Sequence, residues 1–164
     1  MFVIHSAPMT ERQISIVKNS WKIFQDIDPA LIGDVFYSKL FITSPKLKNL
    51  FHIPRDVQSK KLVEMLSMIV GRLDRIAEIH EDIRKLAIRH VTYGVKLEHY
   101  KSVGDALLWM LEQGLGKDWN DEVKEAWNQC YQELSQTMID AAGYTPKSPG
   151  TSAFGRRSLP PSAE

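Results

Sequence analysis

The chain has 164 residues, of which 43% are hydrophobic, 25% charged and 9% aromatic, the proportions of one globular domain. Twenty-one basic residues against twenty acidic ones leave a net charge of +1, which is no electrostatic footprint for nucleic acid or for an anionic membrane. A single cysteine, Cys130, excludes an internal disulfide and the paired-cysteine zinc and redox motifs, and it points to a reducing, cytoplasmic compartment.

No run of eighteen apolar residues predicts a membrane span. Residues 1–9 have neither the basic start nor the long apolar stretch of a signal peptide, and they read as a frayed N-terminal extension. Thr10, with Gln13 three residues on, forms a capping box that opens the first helix, whose stripe is Ile14, Val17, Trp21 and Phe24. Asp28 and Pro29 open a second helix holding Gly33, Phe36, Tyr37, Leu40 and Phe41. Pro45 to Phe51 reads as a short turn or helix ending in an aromatic. From Asp56 a long segment places Leu62, Met65, Leu66, Ile69 and Leu73 at spacings of three and four. Glu81 and Asp82 suit the positive end of the next helix, which lines Ile79, Ile83, Leu86, Ala87 and His90 along one face. Helices over Glu98–Gln113 and Asn120–Ala142 follow, separated by Gly114 and Gly116. Beyond Gly143 the chain turns to Pro, Ser and Gly, so 144–164 is expected to be a disordered tail and 10–143 the domain. The class is all-α with about seven helices.

Three polar residues interrupt apolar stripes. His90 ends the stripe of its helix, Gln58 lies one turn before Leu62, and Tyr37 sits beside Phe36 on a helix whose Gly33 admits a close neighbour. Each has an ordinary explanation: a satisfied core histidine, an amide reaching solvent, a buried tyrosine bonded to a carbonyl. Together with Phe51 and Leu62 they make a pocket with one metal ligand on one wall and hydrogen-bond donors on the other, which a haem and a diatomic ligand require. The other histidines, His5, His52, His80 and His99, have no Cys or Glu partner at metal-ligand spacing.

Several stretches in order carry a resemblance: Ile16 to Trp21, Phe36 to Phe41, Ser44 to Phe51, Arg89 to Val95, His99-Tyr100 before Val103-Gly104, and Ala126-Trp127 with Tyr131. The chain resembles single-domain bacterial globins, the globin part of flavohaemoglobins and the small globins of thermophilic and acidophilic bacteria. The resemblance implies the globin fold, a three-over-three helical sandwich around haem b (protoporphyrin IX iron). It implies His90 as proximal iron ligand, Tyr37 and Gln58 as distal residues touching bound ligand, Leu62 above them and Phe51 stacked on the porphyrin. Leu86, Val95, Tyr100 and Val103 are expected on the haem wall, Lys61 near a propionate, and Gly33 with Ser59 where two helices cross.

Two departures stand out. Flavohaemoglobins carry a glutamate near the end of the last helix that makes the proximal imidazole more anionic, and a gapless count from Tyr131 puts Tyr144 there. The Nδ1–H of His90 is therefore expected to bond a backbone carbonyl near Leu86, weakening the electron push. No flavin or nicotinamide domain follows, so redox turnover is expected to need an external reductase. The implied function is reversible binding of dioxygen (O2), nitric oxide (NO) and carbon monoxide (CO), for oxygen transport, storage or scavenging. The alternatives are nitric oxide detoxification as a dioxygenase, peroxidase-like chemistry, or gas sensing.

Overall fold

The computed structural model describes residues 8–143; Met1 to Ala7 and the expected tail over 144–164, Tyr144 included, lie outside the described residues. Six α-helices follow one another: α1 (Glu11–Trp21), α2 (Pro29–Thr43), α3 (Arg55–Gly71), α4 (His80–Thr92), α5 (His99–Leu115) and α6 (Asp121–Ala141). Shorter 3-10 segments, Lys22–Asp26, Pro45–Leu50, Leu73–Ile79 and Gly116–Asp118, join several of them, and the described residues hold no strand.

The helix starts obey local chemistry. Both halves of the Thr10–Gln13 capping box are formed. The Asp28 carboxylate accepts from the Ala30 N–H ahead of Pro29, and the Asn120 side chain accepts from Val123 N–H, so each opening satisfies a backbone donor that has no partner inside the helix. The N–H of Met9, in the expected extension, donates to the Glu133 carboxylate of α6 at 2.7 Å.

The structure departs from the sequence pattern at Leu73. Periodicity alone carries the third long helix through that residue, but α3 stops at Gly71, and Arg75 (φ −137°, ψ 40°) breaks helical geometry inside the 3-10 stretch that follows. Leu73 still packs against the core.

Helix α2 packs on α3 and α5, while α6 packs on α1, α4 and α5. The closest crossing is at Gly33: a Cβ there would lie 1.7 Å from the Ser59 Oγ and 2.2 Å from its Cβ, so only glycine lets α3 approach this far. The main core runs through Val17, Trp21, Phe24, Phe36, Leu40, Leu111 and Trp127. A second cluster, Ile69, Ile79, Ile83, Ala87, Tyr100 and Met138, fills the space between the end of α3, α4 and α6. This second cluster fixes the face of α4 that carries His90.

Candidate functional site

On α4, Ile83 and Ala87 are fully buried, and one step round the helix Leu86 and His90 are half-buried. The His90 Nδ1 lies 2.7 Å from the Leu86 carbonyl oxygen four residues back. Nδ1–H donates to that carbonyl, which leaves the lone pair on Nε2. Burial pushes the imidazole pKa below its ordinary value, the carbonyl bond opposes this, and the neighbouring Arg89 charge lowers it further. His90 is thus a neutral imidazole with one nitrogen committed to the backbone.

The chain then turns at Gly94, whose φ of +91° lies in the region open to glycine, and Val95 N–H closes back onto the His90 carbonyl at 2.9 Å. This corner rests against the Pro45–Leu50 segment, since a Cβ on Gly94 would meet Leu50 Cδ2 at 3.4 Å. Val95 is half-buried and packs, with buried Tyr100, in the cluster that holds Ala87, whereas half-buried Val103 packs against the main core.

Helices α2 and α3 supply the other polar pair. Tyr37 is 2% exposed and sits among aromatic rings, with centroids of Phe36, Phe51 and Phe41 at 4.9, 5.3 and 5.8 Å. Burial raises its pKa to about 12, while the neighbouring Gln58 amide and the Arg55 charge pull the other way. Tyr37 therefore remains a neutral hydroxyl, able to donate, across the physiological range. The sequence expectation brought Tyr37 and Gln58 to one pocket, and both line one cavity. Leu62 is half-buried one turn beyond Gln58.

A cavity of about 160 Å³ opens here, lined by Tyr37, Phe41, Lys48, Phe51, Ile53, Arg55 and Gln58. Lys48, Ile53 and Arg55 are wall residues that the sequence reading did not single out; the only hint was a basic run flanking Phe51. Lys61 is exposed on α3. His99 accepts the Lys96 N–H on its Nδ1 at 3.0 Å, an internal cap near the start of α5, and His52 and His80 are exposed. A larger cavity, about 620 Å³, lies against α6 between Pro8, Ile69, Leu73, Ile83 and Leu134, and touches neither Tyr37 nor His90. The smaller cavity brings Tyr37, Gln58 and Phe51 together, and His90 is not among the residues that line it.

Among the described residues, no three His, Cys, Asp or Glu side chains converge on a point. A single imidazole is sufficient only for a metal whose remaining ligands arrive with it, as a porphyrin's do. His90 and its apolar neighbours fit that group.

The family model for globins matches residues 34–138, from within α2 into α6, and so spans Tyr37, Gln58 and His90. The chain is a globin. It is 29% identical over 138 residues to a flavohemoprotein of Vibrio cholerae, an alignment covering 82% of this chain and 35% of that protein. This globin therefore spans about a third of the flavohemoprotein's length. It is 30% identical over 131 residues to a globin-like protein of Aquifex aeolicus, covering 80% of this chain and 92% of the relative. Among solved structures, a bacterial globin from Campylobacter jejuni superposes with a TM-score of 0.72 at 27% identity, covering 82% of this globin and 97% of that one. Globins bind haem. No described helix is long and apolar enough to cross a membrane.

Proposed function

We propose that this globin is a cytoplasmic protein that holds haem b on His90 and reversibly binds dioxygen and other diatomic ligands, nitric oxide and carbon monoxide among them. The observation that carries the reading is the state of His90, a neutral imidazole whose Nδ1 is satisfied by Leu86 and whose Nε2 keeps its lone pair. The bound haem supplies an iron centre that takes a diatomic ligand. The chain does the rest. His90 offers its lone pair and is kept from rotating by the Leu86 bond. Tyr37 and Gln58 offer donors to a ligand atom that gains partial negative charge, while Phe51 and Leu62 exclude water. In this reading Leu86, Val95, Tyr100 and Val103 form the apolar wall on the side of His90, and Lys61, exposed on α3, pairs with a propionate.

A second reading, nitric oxide dioxygenation with an external reductase, is supported by the likeness to a flavohemoprotein. In that role the Leu86 carbonyl matters, because a neutral partner on Nδ1 makes the imidazole a weaker electron donor than a carboxylate partner would. Peroxidase turnover is then slow, and nitric oxide is consumed stoichiometrically until a reductase is added.

The test is a set of variants in the haem-loaded protein. His90→Ala should abolish haem retention, whereas His99→Ala should keep it. Tyr37→Phe and Gln58→Leu should each speed oxygen release by about one to two powers of ten, as expected for a bond to a charged acceptor in a buried pocket. Carbon monoxide, whose oxygen gains little charge, should respond less. Equal effects on both gases would make the two residues steric rather than hydrogen-bonding groups, and an unchanged spectrum in His90→Ala would overturn the proximal assignment.

A further inference from the structure

Two cations stand at the cavity that holds the Tyr37–Gln58 pair. Lys48 comes from the Pro45–Leu50 segment and Arg55 is the first residue of α3, and both line the same space of about 160 Å³. The Arg55 guanidinium lies over the Phe41 ring, 5.6 Å from its centroid, and its charge is felt at the Tyr37 hydroxyl. Its carboxylate partner is Asp34, which is 3.8 Å away and well exposed, a loose pair that leaves most of the guanidinium's donors uncommitted.

The wider charge pattern has the same sense. From Lys39 to Lys61 the chain carries six basic residues and one acidic residue, Asp56, whereas from Asp105 to Asp140 it carries eight acidic and two basic ones. A net charge of +1 therefore conceals an uneven distribution along the chain, and Lys48 and Arg55 belong to its basic stretch.

We propose that Lys48 and Arg55, with the Tyr37 hydroxyl and the Gln58 amide behind them, form a binding site for a small, weakly hydrated planar anion of the nitrate type. The space of about 160 Å³ between the two cations accommodates an ion of a few heavy atoms. The chemistry argues for a planar monoanion. A guanidinium is flat and weakly hydrated, presents paired donors, and stacks on an aromatic ring, so a flat anion can lie against it without stripping a tight hydration shell. Sulfate and phosphate, more strongly hydrated, are poorly served by walls made of Phe41, Phe51 and Ile53. The site rests on the proposed function only for its consequence, which is that an anion held there competes with a gas ligand for the same two donors. Its existence does not require haem.

The experiment titrates the full chain, haem-free and haem-loaded, with sodium nitrate against sodium sulfate at matched ionic strength, following the arginine Nε–H resonances. Arg55 is identified by the resonance missing in Arg55→Gln. One saturable shift at Arg55 with nitrate, and much less with sulfate, is expected in both forms. In the loaded ferric protein, azide affinity should fall about tenfold in the Lys48→Gln/Arg55→Gln double variant, with carbon monoxide affinity moved far less, since two partly screened charges are lost to an anion and not to a neutral gas. Arg55→Lys should recover only part of the azide affinity. A nitrate response at Arg55 with no azide or haem binding would keep the anion site and sink the haem reading. No nitrate shift, an equal shift with sulfate, or a double variant whose defect is faster haem loss with unchanged azide affinity would overturn the proposal, the last by assigning the two cations to haem propionates.

Discussion

The seam between α1 and α6 and the walls around His90 and Tyr37 are made from the same kinds of side chain, yet they are finished differently. At the seam, Trp21 and Trp127 are at most 2% exposed, meet at 5.9 Å, and have both indole N–H groups bonded, to the Ser67 and Ser20 hydroxyls. Around the site, Phe51, Leu62, Leu86, His90, Val95 and Val103 are only half-buried although they adjoin the core. At the seam both indoles are buried with their N–H groups bonded, and so it supplies stability. The site walls present apolar surface and a few committed polar atoms, and so they can supply binding at some cost to stability. In each region hydroxyls or carbonyls decide orientation, and at the site the Leu86 carbonyl leaves the His90 Nε2 lone pair available.

If that division is right, variants on the two sides should fail in different ways. Trp127→Ala should be the most damaging, at about 3–5 kcal/mol, because it removes a buried aromatic and leaves a cavity beside Trp21. Urea unfolding of the haem-free chain measures it, and a loss below about 1 kcal/mol would mean that the seam is not where stability resides. Gly33→Ala comes next. Its methyl would collide with Ser59, so α2 and α3 must separate, at roughly 1–3 kcal/mol. Because the obstacle includes the Ser59 Cβ and Oγ, Ser59→Gly in the same chain should recover part of the loss, whereas Ser59→Ala should recover little. No recovery with glycine would place the clash elsewhere.

The smallest effect is acid sensitivity, and it belongs to the site. Folding lowers the His90 pKa below the ordinary 6.5, so between the two values the unfolded chain binds more protons than the folded one. Stability is therefore complete above about pH 6.5 and falls as the pH drops toward the folded pKa. Haem release should rise over the same interval, because a protonated Nε2 has no lone pair to give. Melting curves of the haem-free chain and haem transfer to an acceptor protein, both between pH 7.5 and 5 in wild type and His90→Gln (~1 pH-unit steps suffice), check this; a step that survives in His90→Gln would come from another group. Asp74, Glu81 and Glu122 act in a separate, lower window. Their pKa values are depressed below the ordinary 3.8 and 4.5 by hydrogen bonds from Lys18, Arg84 and Arg12, so what they contribute is lost only in stronger acid, and their full exposure makes it small.

The amino-acid sequence by itself determined the beginnings of α1, α2 and α6, the all-α class and the family. Thr10, Asp28 and Asn120 cap helices through bonds that reach two or three residues, and the Leu86–His90 bond spans one helical turn, so these features depend on neighbours in the chain and can be read without the fold. The polar residues Tyr37, Gln58 and His90 were legible because they interrupt apolar stripes. What only the tertiary structure decided is which distant atoms meet: Gly33 against Ser59, the Gly94 corner against Leu50, and Lys48 with Arg55 around Tyr37 and Gln58. Nothing local distinguishes Lys48 from Lys46 or Arg55 from Lys60, since all lie in one basic run. Their roles separate only when the Pro45–Leu50 turn and the crossing of α2 over α3 bring some of those cations to the cavity and leave the rest in water, because long side chains are placed by how helices cross and not by their own sequence neighbours.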